Sequence, residues 1–242
     1  MRYGIFSDIH SNLEAFEAVI KAYRKEKIDE YFCLGDIVGY GADPEECVSL
    51  TRDLVKASVA GNHDWAAAGS FPDESFNDEA RAAVIWTGRR LSEAGKEYLR
   101  GLELVRGTPD FTCVHGSLDD PGDFNYLSDI NDCSGTFSLL SLPVCFIGHT
   151  HVPLVFIKDE KGRISRSDPG RINIEPGKKY IVNAGSVGQP RDGIPGAAYC
   201  IFDTLRRSVE IKRAAYDVSS ARQKIIDQGL PESLGNRLLT GN

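Results

Sequence analysis

Five short motifs, each set directly behind a stretch that reads as a buried β-strand, constrain this chain more than any other feature. Asp8-Ile9-His10 follows the apolar run 2–7, and Gly35-Asp36 follows 31–34. Gly61-Asn62-His63-Asp64 follows 55–60, His115 follows 110–114, and Gly148-His149-Thr150-His151 follows 144–147. Ligand-binding residues of open α/β sheets gather at the carboxyl ends of strands, so five such endings describe sheets whose loops converge on one rim. All five histidines of the chain fall inside these motifs. A sequence that keeps imidazole only beside Asp, Asn and Gly is read as using it on metal.

The intervening residues fill in the class. Ser11-Asn12-Leu13-Glu14 has the form of a capping box, and Leu13, Phe16, Ile20 and Tyr23 follow at helical spacing. Asp43-Pro44-Glu45-Glu46 opens a second helix, with Asp43 as cap and Pro44 at its first position. The order to residue 60 is therefore βαβαβ, which favours parallel strands with helices packed on them. Residues 65–105 change character: a loop at 71–75, then helices over 78–90 and 92–104, expected as an insertion in a single domain spanning 1–242. Residues 118–131 are polar and Asp-rich, the composition of a long loop that either gates a site or is simply solvated. Beyond 150, short strands alternate with turns at 154–158, 163–167, 172–175, 180–182, 197–202 and 209–213, and the chain from 219 reads as helical.

Composition narrows the function classes. A net charge of −7 argues against non-specific binding to nucleic acid or anionic membranes. No apolar run approaches the ~20 residues of a membrane span, and the amino terminus lacks the pattern of a signal peptide. The six cysteines show no CxxC spacing, and Cys33, Cys113, Cys145 and Cys200 lie in apolar strand-like runs, as core residues do. A reduced, cytoplasmic protein is expected.

The motif residues supply enough ligands for two metal ions. Residues two apart on extended chain face the same side, so Asp8 with His10, and His149 with His151, can each reach one small site. Carboxylate and imidazole donors without thiolates suit Mn, Fe, Zn or Ni, with Mn favoured. Two carboxylates against two divalent ions and a bridging hydroxide leave a net positive cluster, suited to an anionic substrate. Metal lowers the pKa of bound water to about 7, which makes hydroxide available as a nucleophile.

Taken in order, these motifs resemble those of the calcineurin-like metallophosphoesterase superfamily. Ser7-Asp8-Ile9-His10-Ser11-Asn12, Gly35-Asp36-Ile37-Val38-Gly39-Tyr40-Gly41 and Asn183-Ala184-Gly185-Ser186-Val187-Gly188-Gln189-Pro190-Arg191 are similar to its small bacterial and archaeal phosphodiesterase branch. The resemblance implies a four-layer α/β/β/α sandwich of two mixed sheets. It also implies that Asp8, His10, Asp36 and His151 bind one metal, with Asp36 bridging, while Asn62, His115 and His149 complete the second. His63 would be the catalytic histidine that is not a ligand, oriented by Asp64. One departure stands out: protein phosphatases of this superfamily place a second Asp and an Arg where this chain has Gly39 and Tyr40. A Ser/Thr phosphatase is thereby disfavoured, and Arg191 becomes a candidate for holding phosphate.

The expected activity is metal-dependent hydrolysis of phosphodiesters. A phosphomonoesterase or dinucleoside-polyphosphate hydrolase is the enzymatic alternative, and a non-catalytic metal-binding scaffold is the alternative from another class. Trp65, Trp86, Tyr40 and Tyr126 either stack on a nucleobase or pack the interior. The N-terminus of the helix after Asn12 is either a phosphate contact or an ordinary cap.

Overall fold

In a computed structural model describing residues 1–242, the alternation of apolar residues decides the layering. In β1 (Arg2–Phe6), Tyr3 and Ile5 face one way and Phe6 the other, following the period of two along a strand. The chain continues through α1 (Leu13–Tyr23), β2 (Glu30–Cys33), α2 (Pro44–Leu54), β3 (Ala57–Ser58), α3 (Asn62–Ala67), α4 (Asp78–Arg90) and α5 (Glu93–Arg100). There follow β4 (Val105–Gly107), β5 (Thr112–Val114), α6 (Ser134–Leu139), β6 (Val144–Ile147), β7 (Leu154–Lys158), β8 (Ile164–Ser167), β9 (Arg171–Asn173) and β10 (Lys179–Asn183). The last elements are β11 (Ala197–Asp203), β12 (Ser208–Ala214), α7 (Val218–Asp227) and α8 (Glu232–Thr240).

The strands form two mixed six-stranded sheets, ordered β3-β2-β1-β11-β12-β9 and β4-β5-β6-β10-β7-β8. Their inner faces meet through an aromatic core in which Phe111 packs edge-to-face on Tyr3, Phe32 and Phe146 with ring centroids 5.0, 5.1 and 5.3 Å apart. On the outer face of the first sheet, Phe6, Cys33, Tyr199 and Ile201 pack against Phe16, Val19, Val48 and Leu99 from the helices. On the outer face of the second, Cys145, Ile147, Phe156 and Ile181 pack against Cys133, Phe137 and Leu140. The result is the four-layer α/β/β/α sandwich. All six cysteines are buried and unpaired.

Direction matters as much as layering. β1, β2 and β3 run parallel, so their carboxyl ends, and the segments beginning at Asp8, Asp36 and Asn62, share one rim. β5, β6 and β10 are parallel in the second sheet and carry His115 and His149 to the matching rim.

Several local expectations are corrected. Ser11 and Glu14 make no capping box; α1 is capped by Asn12, whose Oδ1 accepts from the Ala15 N–H at 3.1 Å. Asp43 does not cap α2 with its side chain, because Lys224 holds the carboxylate at 2.9 Å. The strand expected over 55–60 is only Ala57–Ser58, and the helix expected to reach 104 stops at Arg100 and is followed by strand β4. The expected loop at 71–75 contains the short 3₁₀ turn Asp73–Ser75. The polar segment 118–131 carries 3₁₀ turns at Pro121–Asp123 and Ile130–Cys133, and α6 follows. The helical carboxyl end is two helices, separated at Gly229 with φ +71°.

Candidate metal centre

The rim loops turn too sharply for ordinary backbone. Asp8, His10, Asp36, His149 and His151 have φ of 55°, 49°, 52°, 68° and 61°, in the left-handed region that non-glycine residues seldom occupy. Backbone bonds hold them there: Asp8 N–H donates to Gly35 O, and His10 N–H to Asp36 O, both at 3.0 Å. Between the sheets, His149 N–H donates to Asp8 Oδ2 at 3.0 Å. Gly148 must be glycine, because a Cβ there would collide with Ser7 and with Asp8 Oδ2.

These turns gather the motif side chains into two touching groups. The ligand atoms of Asp8, His10, Asp36 and His151 all lie within 4.8 Å of one another, and so do those of Asp36, His115 and His149. Asp36 belongs to both groups. Every one of these residues is buried.

The hydrogen bonds around the imidazoles test whether this pocket suits cations. His10 Nδ1–H donates to Val38 O at 3.1 Å and His151 Nδ1–H to Gln189 O at 2.6 Å. Each carbonyl only accepts, so each Nδ1 carries the proton and each Nε2 presents a lone pair. Those two Nε2 atoms face each other at 3.0 Å. Two neutral acceptors that close repel, whereas two nitrogens each about 2.1 Å from a shared ion lie at this spacing when they bind it at a right angle. In the second group, His115 Nδ1–H donates to Leu34 O at 2.7 Å, and its Nε2 lies 3.1 Å from His149 Nδ1. Carbonyls that fix the far nitrogen of a ligating histidine are the usual support of metal sites. Asp8 Oδ1 and Asn62 Oδ1 are buried with no hydrogen-bond partner, an arrangement costly in a protein unless a ligand satisfies them. The donors present therefore fit divalent cations.

Electrostatics point the same way. Burial would raise the Asp8 carboxyl, but the neighbouring imidazoles, His151 foremost, hold it well below the usual range. Asp36 is likewise lowered against its burial, chiefly by His115 and His63. Burial pushes His149 down to about 3, helped by His115, and His151 down to about 4, helped by Arg191. His115 alone is raised, to about 9, because the Asp36 charge and hydrogen bond outweigh its burial. Without metal, a proton on His115 takes the place of a cation between carboxylates that stay ionised.

His63 lies beside these groups and in neither. Its backbone N–H donates to Asp36 Oδ1 at 2.9 Å, and its ring packs on His10, Tyr40 and Phe76 with centroids 4.8, 4.5 and 4.7 Å away. Burial keeps the ring well below its ordinary pKa, reinforced by His10 and opposed by Asp36. The expectation that Asp64 orients this ring is corrected. Asp64 Oδ1 accepts from the N–H groups of Ile37 and Val38 at 2.8 and 3.1 Å, and Oδ2 accepts from Gly61 N–H at 3.1 Å. The carboxylate ties two rim loops together and makes no hydrogen bond to His63, whose Nδ1 has no partner. Gly39 shapes the ring's position instead: a Cβ there would lie 2.6 Å from His63 Nδ1.

A cavity of about 510 Å³ opens beside Asn62, His63 and His149. Arg191 lines it, donating to Tyr40 Oη and Gln189 Oε1, both at 3.2 Å, and it has no carboxylate partner. Tyr40 is buried between His10 and His63, whereas Tyr126 is 55% exposed and lies flat on His149. Trp65 packs on Phe124 and Trp86 under Arg90, so both serve packing. The N-terminus of α1 is not offered to phosphate: Asn12 is buried, capping Ala15 and donating to Gly188 O at 2.8 Å. The carbonyls of Leu34, Val38 and Gln189 were invisible to sequence reasoning, since a backbone acceptor has no residue signature.

Comparison with known proteins matches this arrangement. The uncharacterized protein MJ0912 of Methanocaldococcus jannaschii is 41% identical over 245 residues, covering 98% of this chain and 97% of the relative. The crystal structure of a metallophosphoesterase from Sphaerobacter thermophilus has a TM-score of 0.89 at 39% identity, covering 100% of this chain and 99% of that one. The hypothetical protein PH1004 of Pyrococcus horikoshii OT3 has a TM-score of 0.81 at 20% identity, covering 100% and 98%, a likeness of fold alone. The calcineurin-like phosphoesterase superfamily domain matches residues 1–207. Strand order, rim motifs and relatives agree, and the chain belongs to the calcineurin-like phosphoesterase superfamily, a family of metal-dependent phosphoester hydrolases.

Proposed function

We propose that this protein is a phosphodiesterase that works with two divalent cations, manganese being the first to test. Asp8, His10, Asp36 and His151 would hold one, and Asn62, His115 and His149 would hold the other with Asp36 between them. The observation that carries this reading is the pair of imidazole Nε2 atoms facing each other at 3.0 Å, each ring with its Nδ1–H committed to a carbonyl, beside two ionised carboxylates. Bound there, two divalent cations supply Lewis acidity toward phosphoryl oxygens and lower the pKa of water to about 7.

The chain's own residues do the rest. Asp36 sets the spacing of the two groups. His63, neutral because it is buried, is suited to donate a hydrogen bond to a phosphoryl oxygen as charge develops there. Arg191 is the unpaired guanidinium at the cavity and would hold the anion as it enters. One guanidinium beside the metals suits the single charge of a diester better than the double charge of a monoester. The whole chain is read as one domain, with a helical insertion over about 65–105. Six free, buried thiols support a reducing, cytoplasmic setting.

The test is hydrolysis of bis-p-nitrophenyl phosphate against p-nitrophenyl phosphate by metal-stripped protein with and without added manganese. Faster, metal-dependent cleavage of the diester is expected. Preference for the monoester would replace the reading with a phosphatase. Inactivity on a broad phosphoester panel, with both metals retained, would favour a non-catalytic scaffold.

A further inference from the structure

We propose that the cavity beside the metal centre is a nucleoside subsite, so that the diester cleaved carries a nucleobase on the part that stays bound; this rests on the phosphodiesterase reading above. At about 510 Å³ the cavity is in the range of small-molecule sites. Its walls are aromatic where they approach the metal residues. The Tyr126 ring lies on His149 with centroids 3.9 Å apart and planes 19° from parallel, yet the residue is 55% exposed. One face of the ring is used and the other is open. Phe71 and Phe76 continue the lining, Phe71 meeting Phe124 edge-on at 5.3 Å and Phe76 meeting His63 at 4.7 Å.

Polar groups are interleaved with these rings. Ser75, Asn77 and Asp123 offer donors and acceptors, and Arg237 and Asn242 come from the carboxyl end, beyond the matched residues 1–207. Rings with an open face and hydrogen-bonding groups at their margins match a planar heterocycle with polar edges. An alkyl chain would leave Asn77 and Asp123 desolvated without partners. A small polar headgroup would leave the open ring of Tyr126 uncovered. Arg191 lines the same cavity and bonds Tyr40, whose ring packs on His10, so it is available to the phosphate of such a nucleotide.

The test compares two diesters with one leaving group: the p-nitrophenyl ester of thymidylate and methyl p-nitrophenyl phosphate. Only the retained half differs, so the ratio of kcat/KM values reports the subsite. Base stacking on one side chain gives an expected advantage of about tenfold for the nucleoside ester. Tyr126→Ala should bring that ratio close to unity and Tyr126→Phe should keep it. Thymidine should compete with the methyl ester, while deoxyribose should not. Competition by thymidine alone would assign the pocket to small nucleotide esters, and stronger competition by a short oligothymidylate would assign it to strand ends; both keep the nucleoside. Equal rates on the two esters in the native protein overturn the inference. So does a Tyr126→Ala variant that slows both esters alike, since the ring would then only brace His149. No hydrolysis of either ester, with metal bound, overturns the phosphodiesterase reading itself.

Discussion

Replacing Asp64 separates two roles that the sequence cannot tell apart. If the carboxylate ties the rim loops, Asp64→Ala leaves the N–H groups of Ile37, Val38 and Gly61 buried and unpaired. Each unpaired donor costs about 1–3 kcal/mol, which sums to roughly 3–9 kcal/mol for three. Burial and the Asp36 charge raise the Asp64 carboxyl to about 7, so above its unfolded value the native protein carries a protonation penalty that the variant escapes, and the comparison belongs near pH 4, where that penalty is smallest. For a chain of this size, 1 kcal/mol moves the melting temperature by about 2–4 °C, so a drop on the order of 10 °C is expected. Thermal unfolding followed by circular dichroism, in chelator, reads it without interference from bound metal. Asp64→Asn keeps an acceptor for Ile37 and Val38 but turns an amide N–H toward Gly61, and it should lose about 1–3 kcal/mol. A melting temperature unchanged within about 2 °C in both variants, together with lost turnover, would refute the reasoning and return Asp64 to His63.

Three further outcomes are expected. His63→Ala should reduce turnover by roughly a hundredfold or more while metal content, measured by plasma mass spectrometry, stays at the native level; loss of one metal would make His63 a ligand. Gly39→Ala should lower both turnover and melting temperature, because its φ is +101° and its new methyl would displace the His63 ring; native kinetics would show that the ring moves freely. Metal-stripped protein should be most stable near pH 6.5, as read by urea midpoints across the pH range. His115, raised to about 9, contributes stability that is full below its unfolded value and lost as pH rises through 9, about 3 kcal/mol in all. His149 and His151, lowered to about 3 and 4, contribute stability that is present above about 6.5 and lost as pH falls through those values. His63 adds to the acid limb, and Asp64 alone opposes it, losing its contribution as pH rises from about 4 to 7. Added manganese should flatten the alkaline limb; a limb that persists in saturating metal would place the proton elsewhere.

The parts of the fold that could be read in advance are those where one residue's neighbours along the chain decide its state. β1, β2 and β6 are short apolar runs ended by Gly or Asp, and each was found where expected. α6 gave no warning, because Ser134-Gly135-Thr136 is poor helix sequence. It is held by tertiary contacts instead: Phe137 and Leu140 are buried, and Thr136 Oγ1 accepts from Leu118 N–H at 3.0 Å. β4 is an exposed three-residue edge strand whose pairing with β5 no local pattern announces. Asp64 illustrates the same limit at the site. Its nearest neighbour in sequence that matters is His63, while two of the N–H groups it binds are 26 and 27 residues away.

The motif residues were legible because one choice answers two physical demands. The rim needs tight turns in the left-handed region, and Asp, Asn and His tolerate that region better than other side chains. It also needs oxygen and imidazole donors, which the same residues supply. Each such non-glycine position costs about 1–3 kcal/mol, so five of them together approach the whole stability of an ordinary domain. The Asp64 bridge and the parallel strands beneath offset that cost jointly, and cations held by these donors would add to them. Tyr40, at φ 56°, is the exception: a bulky residue that gains no ligand from its strain. Its ring instead packs against both His10 and His63, each 4.5 Å away, and its hydroxyl accepts from Arg191. The strain there is explained by position, since Tyr40 joins the candidate metal ligand His10, the catalytic candidate His63 and the anion-binding candidate Arg191 through a single side chain.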